Sequence, residues 1–346
     1  MAAIESRPMQ LGTRPIRALV RLLGIALLTV PVMLGAQRGS QGPVARMFDD
    51  DQKKDASLAQ SFVPADLPAT TTAESPLRVY LSAGDLERAF DKREFRPDAA
   101  IIPTNTDLQL TASSPATQRV LVARVQKQPE VMRDLDAQVG ERRKQGPAPG
   151  GEKGVLQIGV DSFLAQLPRA GRDDRQDLPF PKAACFVATD FAGGGALDHR
   201  ELFAQDRVRK GIAACLTALD ASGARSVILP LMGAASSRTQ ANDAQFEGQR
   251  VLKECRLINS TAGISLGIHD FAAGRRNLLE IGLVQWDQEI TGMFKVDNSS
   301  RAAQSARTAY QAYADQIHQA FRKGLVGEKT VSNDVNGSCG AILNGR

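Results

Sequence analysis

The sequence predicts an α/β domain of three layers, a sheet with helices on both faces, plus accessory helices at the C-terminus. Three observations carry this. Short apolar, β-branched runs alternate with longer amphipathic patterns, as in a sheet covered by helices. Hydrophobic residues make up 42% of the chain but aromatic ones only 5%, so the core is aliphatic. Ser226 to Leu229, too short for a buried helix, leads through Pro230 into the small residues Gly233, Ala234, Ala235, Ser236 and Ser237. Their backbone N–H groups can approach a ligand closely, and in open α/β sheets ligands bind at the carboxyl ends of strands.

The first 37 residues read as a signal peptide or membrane anchor. Arg14, Arg17 and Arg21 precede an apolar run from Leu22 to Leu34, interrupted by Pro31 and followed by Gly35-Ala36, a possible cleavage point. The run is shorter than the roughly 20 residues that span a bilayer, which favours a signal peptide. The chain is therefore expected to be exported, periplasmic or anchored in the inner membrane; a cytoplasmic protein with an N-terminal amphipathic helix is the other reading. Residues 38–76 mix Gly, Pro, Ser and Thr with a charge run from Asp49 to Asp55 and read as an unstructured linker.

The main domain is expected over residues 77–272. Leu77, Val79 and Leu81 alternate as a strand that Gly84-Asp85 breaks. Ala99 to Ile102 is a second strand, followed by a polar loop from Pro103 to Asp107 and a helix start at Ser113 or Ser114. Gln128 to Arg143 reads as a charged helix, Gln145 to Gly154 as a loop, and Val155 to Ile158 as a strand. Ala183 to Ala188 is the next strand, with Gly193-Gly194-Gly195 before a helix from His199 to Leu219. The strand at Ser226, a helix from Gln240 to Leu257, and a strand through Ile264, Leu266 and Ile268 complete the domain. Residues 273–325 read as a helical extension, with helices near Arg275 to Trp286 and Arg301 to Arg322, and 326–346 as a flexible tail.

The formal charge of +5 lies partly in the N-terminal segment, and no basic run is interleaved with aromatics, so no nucleic-acid partner is expected. Cys185, Cys215, Cys255 and Cys339 lack metal-ligand spacing, and neither a metal nor a cofactor is expected. The first three fall on apolar faces and read as core residues, with a disulfide as the alternative in an exported protein. No Gly-x-Ser-x-Gly elbow occurs, the glycine run at 193 does not satisfy Gly-x-Gly-x-x-Gly, and His269-Asp270 is a weak general acid–base candidate.

Three segments, in order, resemble the macro domain, an α/β/α module that binds ADP-ribose and related nucleotides. Val79 to Leu86 resembles its opening strand and Gly-Asp-Ile, with Asp85 at the carboxylate that accepts from the adenine amino group. Ile101 to Leu108 resembles Val-Asn-Ala-Ala-Asn-x-x-Leu, which puts Asn105 near the distal ribose; Ile102 stands for the first asparagine. Val227 to Ala235 resembles the strand and diphosphate loop ending Pro-x-x-Gly-Thr-Gly, matched at Pro230 and Gly233. The resemblance implies a macro-type fold with ligand contacts at Asp85, Asn105, Gly233, Ala234, Ala235 and Ser236. After Leu108, Gln109-Leu110-Thr111-Ala112-Ser113-Ser114 replaces the family's glycine run and acidic residue, so no residue is assigned to catalysis. A binding module for ADP-ribose or a related nucleotide diphosphate is the first expectation. An ADP-ribosyl or phosphoester hydrolase and a cell-envelope interaction protein with a vestigial pocket are the alternatives.

Overall fold

The computed structural model describes residues 42–54, 67, 75–83, 95–108, 110, 128–146, 154–156, 161–167, 181–190, 205–232, 243–285 and 315–328. The chain divides into Met1–Ser40, outside the described residues, and Gln41–Arg346, which carries every element. The elements are α1 (Pro43–Lys54), β1 (Arg78–Ala83), β2 (Ala99–Asn105), α2 (Pro129–Lys144), β3 (Ser162–Gln166), β4 (Ala183–Asp190), α3 (Gln205–Ala221), β5 (Ser226–Pro230), α4 (Asp243–Ala272), β6 (Glu280–Gln285) and α5 (residues 315–325).

The six strands form one sheet in the order β1-β6-β5-β2-β4-β3. All neighbours are parallel except β3, which runs antiparallel to β4 at the edge. Side chains alternate across the sheet, so each strand serves two cores. Val79, Ile101, Cys185, Val227, Leu229, Ile281 and Leu283 face α3, α4 and α5. Ala100, Ile102, Phe186, Ile228 and Val284 face the other layer, where α2 contributes Val131, Leu135 and Val139. On that second face α1 places Val44, Ala45 and Phe48 with Tyr80, the two rings 5.1 Å apart. The architecture is therefore three-layered, α/β/α.

Several expectations are corrected. Residues 43–54 are helical rather than linker, because Pro43 suits a first helical turn and the free N–H groups there are met from far along the chain. The Glu280 carboxylate accepts from the N–H groups of Gly42 (3.1 Å) and Val44 (3.3 Å). Burial pushes this carboxyl above its ordinary range while those N–H groups pull it back. The helix expected near Arg275 to Trp286 is not found over residues 275–285: Glu280–Gln285 is an interior strand between β1 and β5. Ile264, Leu266 and Ile268 belong not to a strand but to the 30-residue α4, buried without interruption from Ile258 to Ile268. A helix enclosed on all sides shows no polar stripe, and a short window of it mimics alternation.

β2 continues through Pro103, Thr104 and Asn105, where a loop was expected. Val155 and Leu156 lie in a bend, and the strand falls later, at Ser162–Gln166. Cys185 and Cys215 form a disulfide between β4 and α3, with Cα atoms 5.7 Å apart, rather than two free core thiols. The side chain of Cys255, Cys339, the glycine run at 193, and residues 301–314 and 329–346 lie outside the described residues.

Gly263 and Gly267 let α3 approach α4. A Cβ on Gly267 would lie 2.6 Å from the Arg209 carbonyl oxygen, and one on Gly263 would lie 2.8 Å from that of Gln205. Backbone cannot yield locally, so the two helices would have to separate. Gly267→Ala should cost about 1–3 kcal/mol, whereas Gly274→Ala, with nothing within 4 Å of the added carbon, should stay within about 0.5 kcal/mol of wild type. Urea unfolding of both variants measures the difference, and equal midpoints would contradict the packing.

Candidate functional site

Five parallel strands put five carboxyl ends on one edge of the sheet. The chain leaves β2 for β3 and β4 on one side and leaves β5 for β6 on the other, so the β2/β5 boundary is the topological switch point. Ligands of open α/β sheets bind at such a point, because the two outgoing connections diverge. At the amino end the strands are tied: the Asp98 carboxylate accepts from Arg225 N–H (2.9 Å), Ser226 N–H (3.1 Å) and the Ser226 hydroxyl (3.2 Å). The β2/β5 ladder pairs Ala99 with Val227 and Ala100 with Ile228, at the amino end, and does not continue toward the carboxyl end. Pro103 lacks an N–H to donate, and Leu231 N–H bonds to Val284, on the β6 side.

α3 returns the chain from β4 to β5 and α4 returns it from β5 to β6, each joining parallel strands. α3 therefore begins at the carboxyl edge, where its positive dipole end favours an anion. Its first residue, Gln205, bonds Asn259 of α4, so the start of α4 at Asp243 lies about 24 Å beyond that level.

Asn105 ends β2 at this edge, half-buried, beside a register shift in the ladder to β4. The turn that follows is tightly held. Leu108 N–H donates to the Asn105 carbonyl (3.0 Å), and the Thr106 carbonyl accepts from both Val155 (2.7 Å) and Leu156 (2.8 Å). Leu108 is fully buried at φ 54°, a conformation uncommon for a non-glycine residue. From the last turn of α2, Arg143 donates to the carbonyls of Leu108 (3.1 Å) and Asp107 (3.4 Å).

Of the residues predicted for the site, Asn105 is the one described. Asp85, Gly233, Ala234, Ala235 and Ser236 lie outside the described residues. The strands that lead to them, β1 ending at Ala83 and β5 at Pro230, finish on the same edge as β2. Sequence reasoning missed the contributions of Thr106, Leu108 and Arg143; the basic cluster Arg142-Arg143-Lys144 closing α2 was the available signal.

His269-Asp270 does not sit at a strand end but near the end of α4. Asp270 is paired with Arg209 of α3 through Nε and Nη2, the latter at 2.8 Å, and His269 Nδ1 lies 3.5 Å from its Oδ1. The Arg209 hydrogen bond holds the Asp270 carboxyl below its ordinary range. Held this way the carboxylate is a structural ion pair rather than a proton acceptor. Among the described residues no group of three or more His, Cys, Asp or Glu is placed to hold a metal ion, and no helix is long and apolar enough to cross a membrane.

No family model matches the chain, and neither does any curated protein sequence. Solved structures do match. The Oceanobacillus iheyensis macrodomain with MES bound is 9% identical over 70% of this chain and 93% of its own, with a TM-score of 0.40. The same macrodomain with ADP is 9% identical over 71% and 93%, with a TM-score of 0.38. A tomato leucine aminopeptidase mutant is 15% identical, with 71% of this chain covering 39% of that one and a TM-score of 0.31.

Because the Asp270 carboxyl titrates lower when folded, its stabilisation is present above the ordinary carboxylate value and is lost as pH falls through the folded one. Asp270→Asn should therefore be less stable than wild type near neutrality and converge with it in acid. Melting curves from pH 2 to pH 7 check this; a constant gap would argue against the pair.

Proposed function

We propose that the chain is a macro-type domain that binds ADP-ribose or a related nucleotide diphosphate at the carboxyl edge of its sheet, in an exported or membrane-tethered protein. The order of the strands carries this reading. The segments with Asp85, with Gly233 to Ser236, and with Asn105 follow β1, β5 and β2, and across the sheet these stand in the order β1, β6, β5, β2. By the resemblance, those segments meet adenine, diphosphate and distal ribose. The strand order thus reproduces the order of the ligand's parts. Three interstrand steps separate β1 from β2 by about 14 Å, a span suited to an extended ligand with a diphosphate at its middle rather than to a single base. The α3 N-terminus at the same edge favours the diphosphate charge.

The residues that replace the glycine run and acidic residue after Leu108 favour binding over ADP-ribosyl or phosphoester hydrolysis. The disulfide supports the exported half of the reading, since such bonds persist in oxidising compartments and are rare in the cytosol.

Asp85→Ala should weaken ADP-ribose binding about ten- to a hundredfold, the worth of a hydrogen bond to a charged acceptor, and Asn105→Ala about two- to tenfold. Gly233→Glu, which sets an anion against the diphosphate, should do more harm. Calorimetry with ADP-ribose and with ribose 5-phosphate, which lacks adenine, checks all three. No wild-type binding would transfer the assignment to an interaction protein with a vestigial pocket.

Export is checked separately. A reporter enzyme that works only outside the cytoplasm, fused after Ala36, should be active; a well-expressed but inactive fusion would refute the localisation.

A further inference from the structure

We infer that Arg143 is a positioning residue for this site, holding the turn that presents Asn105 although it is not among the residues that the resemblance places on the ligand. The inference rests on the nucleotide-site reading of the carboxyl edge. Its basis is the accounting of carbonyl oxygens in the turn. The Asn105 oxygen takes Leu108 N–H, and the Thr106 oxygen takes Val155 and Leu156 N–H. Asp107 and Leu108 present theirs to Nε and Nη2 of Arg143. Four successive carbonyl oxygens are thus taken up by donors within the protein.

This matters for the proposed ligand because carbonyl oxygens repel phosphate and compete with a ribose hydroxyl for the Asn105 amide. A freed Asp107 or Leu108 carbonyl would turn to find a donor, and the ligand's polar edge would meet an acceptor in place of an ordered amide. Leu108 adds a second reason. Its backbone is held at φ 54° while its side chain is buried against the α2 layer, a state that persists only where surrounding contacts enforce it. Two braces do so: the Arg143 guanidinium, and the 154–156 bend, where a Cβ on Gly154 would lie 2.6 Å from that of Thr106. Of the two, only Arg143 acts through a side chain, so it can be altered without disturbing backbone.

The test compares Arg143→Gln and Arg143→Lys with Arg133→Gln, a control on the same helix whose guanidinium bonds the Pro129 carbonyl of α2 itself. Two quantities are read: hydrogen exchange of the Leu108 amide in ligand-free protein, and the Kd for ADP-ribose by calorimetry, with melting temperature as the folding control. Arg143→Gln should speed Leu108 exchange and weaken binding about three- to tenfold. Arg143→Lys, keeping one donor, should restore part of both, and Arg133→Gln should change neither. Unaltered Leu108 exchange in Arg143→Gln overturns the brace whether or not ADP-ribose binds. Faster exchange with an unchanged Kd overturns the positioning role. Faster exchange in a wild-type background that binds no ADP-ribose refutes the nucleotide reading, and the link to ligand with it, while the brace stands.

Discussion

The Asp98 carboxylate decides where β5 begins beside β2, and most of the fold is referred to that choice. By accepting from the backbone of Arg225 and Ser226 and from the Ser226 hydroxyl, it sets the register of two central strands. A slip of one residue would turn Val227 and Leu229 from one core to the other. From Arg225 the dependence passes to β6, because the Arg225 carbonyl accepts from Leu279 and Glu280. From Glu280 it passes to α1, whose first N–H groups end on that carboxylate. Asp220 secures the same edge by accepting from Arg276, Asn277 and Leu278. The polar contacts that set the register of β5, β6 and α1 are thereby gathered at the amino edge.

The two faces of the sheet are covered by different means. On the face of α3, α4 and α5, small residues allow close approach: Gly263 and Gly267 against α3, and Ser265 beside Gly324, with the one Ser265 hydroxyl hydrogen nearest the Thr261 carbonyl (2.9 Å) and within reach of those of Ala262 and Ala320. The Arg209–Asp270 pair then fixes the sliding position of α3 on α4. On the other face α1 fits by shape, Val44 lying over the space that Gly282 leaves and Phe48 meeting Tyr80. Burial and the neighbouring Glu280 raise the Tyr80 phenol above its ordinary value.

Much of the sheet was legible because β1, β2, β4 and β5 are short apolar runs bounded by turn residues. β6 was not, because an interior parallel strand buried on both faces shows no polar–apolar alternation. α4 erred in the opposite sense, enclosure having removed its polar stripe. α1 was hidden since its cap lies 238 residues away in sequence. At the site, Asn105 was legible through the resemblance, in what was expected to be a loop, but Arg143 was not, as its partner carbonyl is 35 residues distant and backbone atoms leave no mark on composition.

The bond between Cys185 and Cys215 also has a consequence for covalent topology. It closes a ring over the whole crossover from β4 into α3, a sequence separation of 30 residues. A single peptide-bond cleavage within that ring does not divide the molecule: the two pieces stay joined through sulfur and keep the mass of the intact chain plus one water. Only after reduction do they part. A protease acting on this crossover thus leaves a nicked, two-chain protein whose halves are still threaded through one sheet.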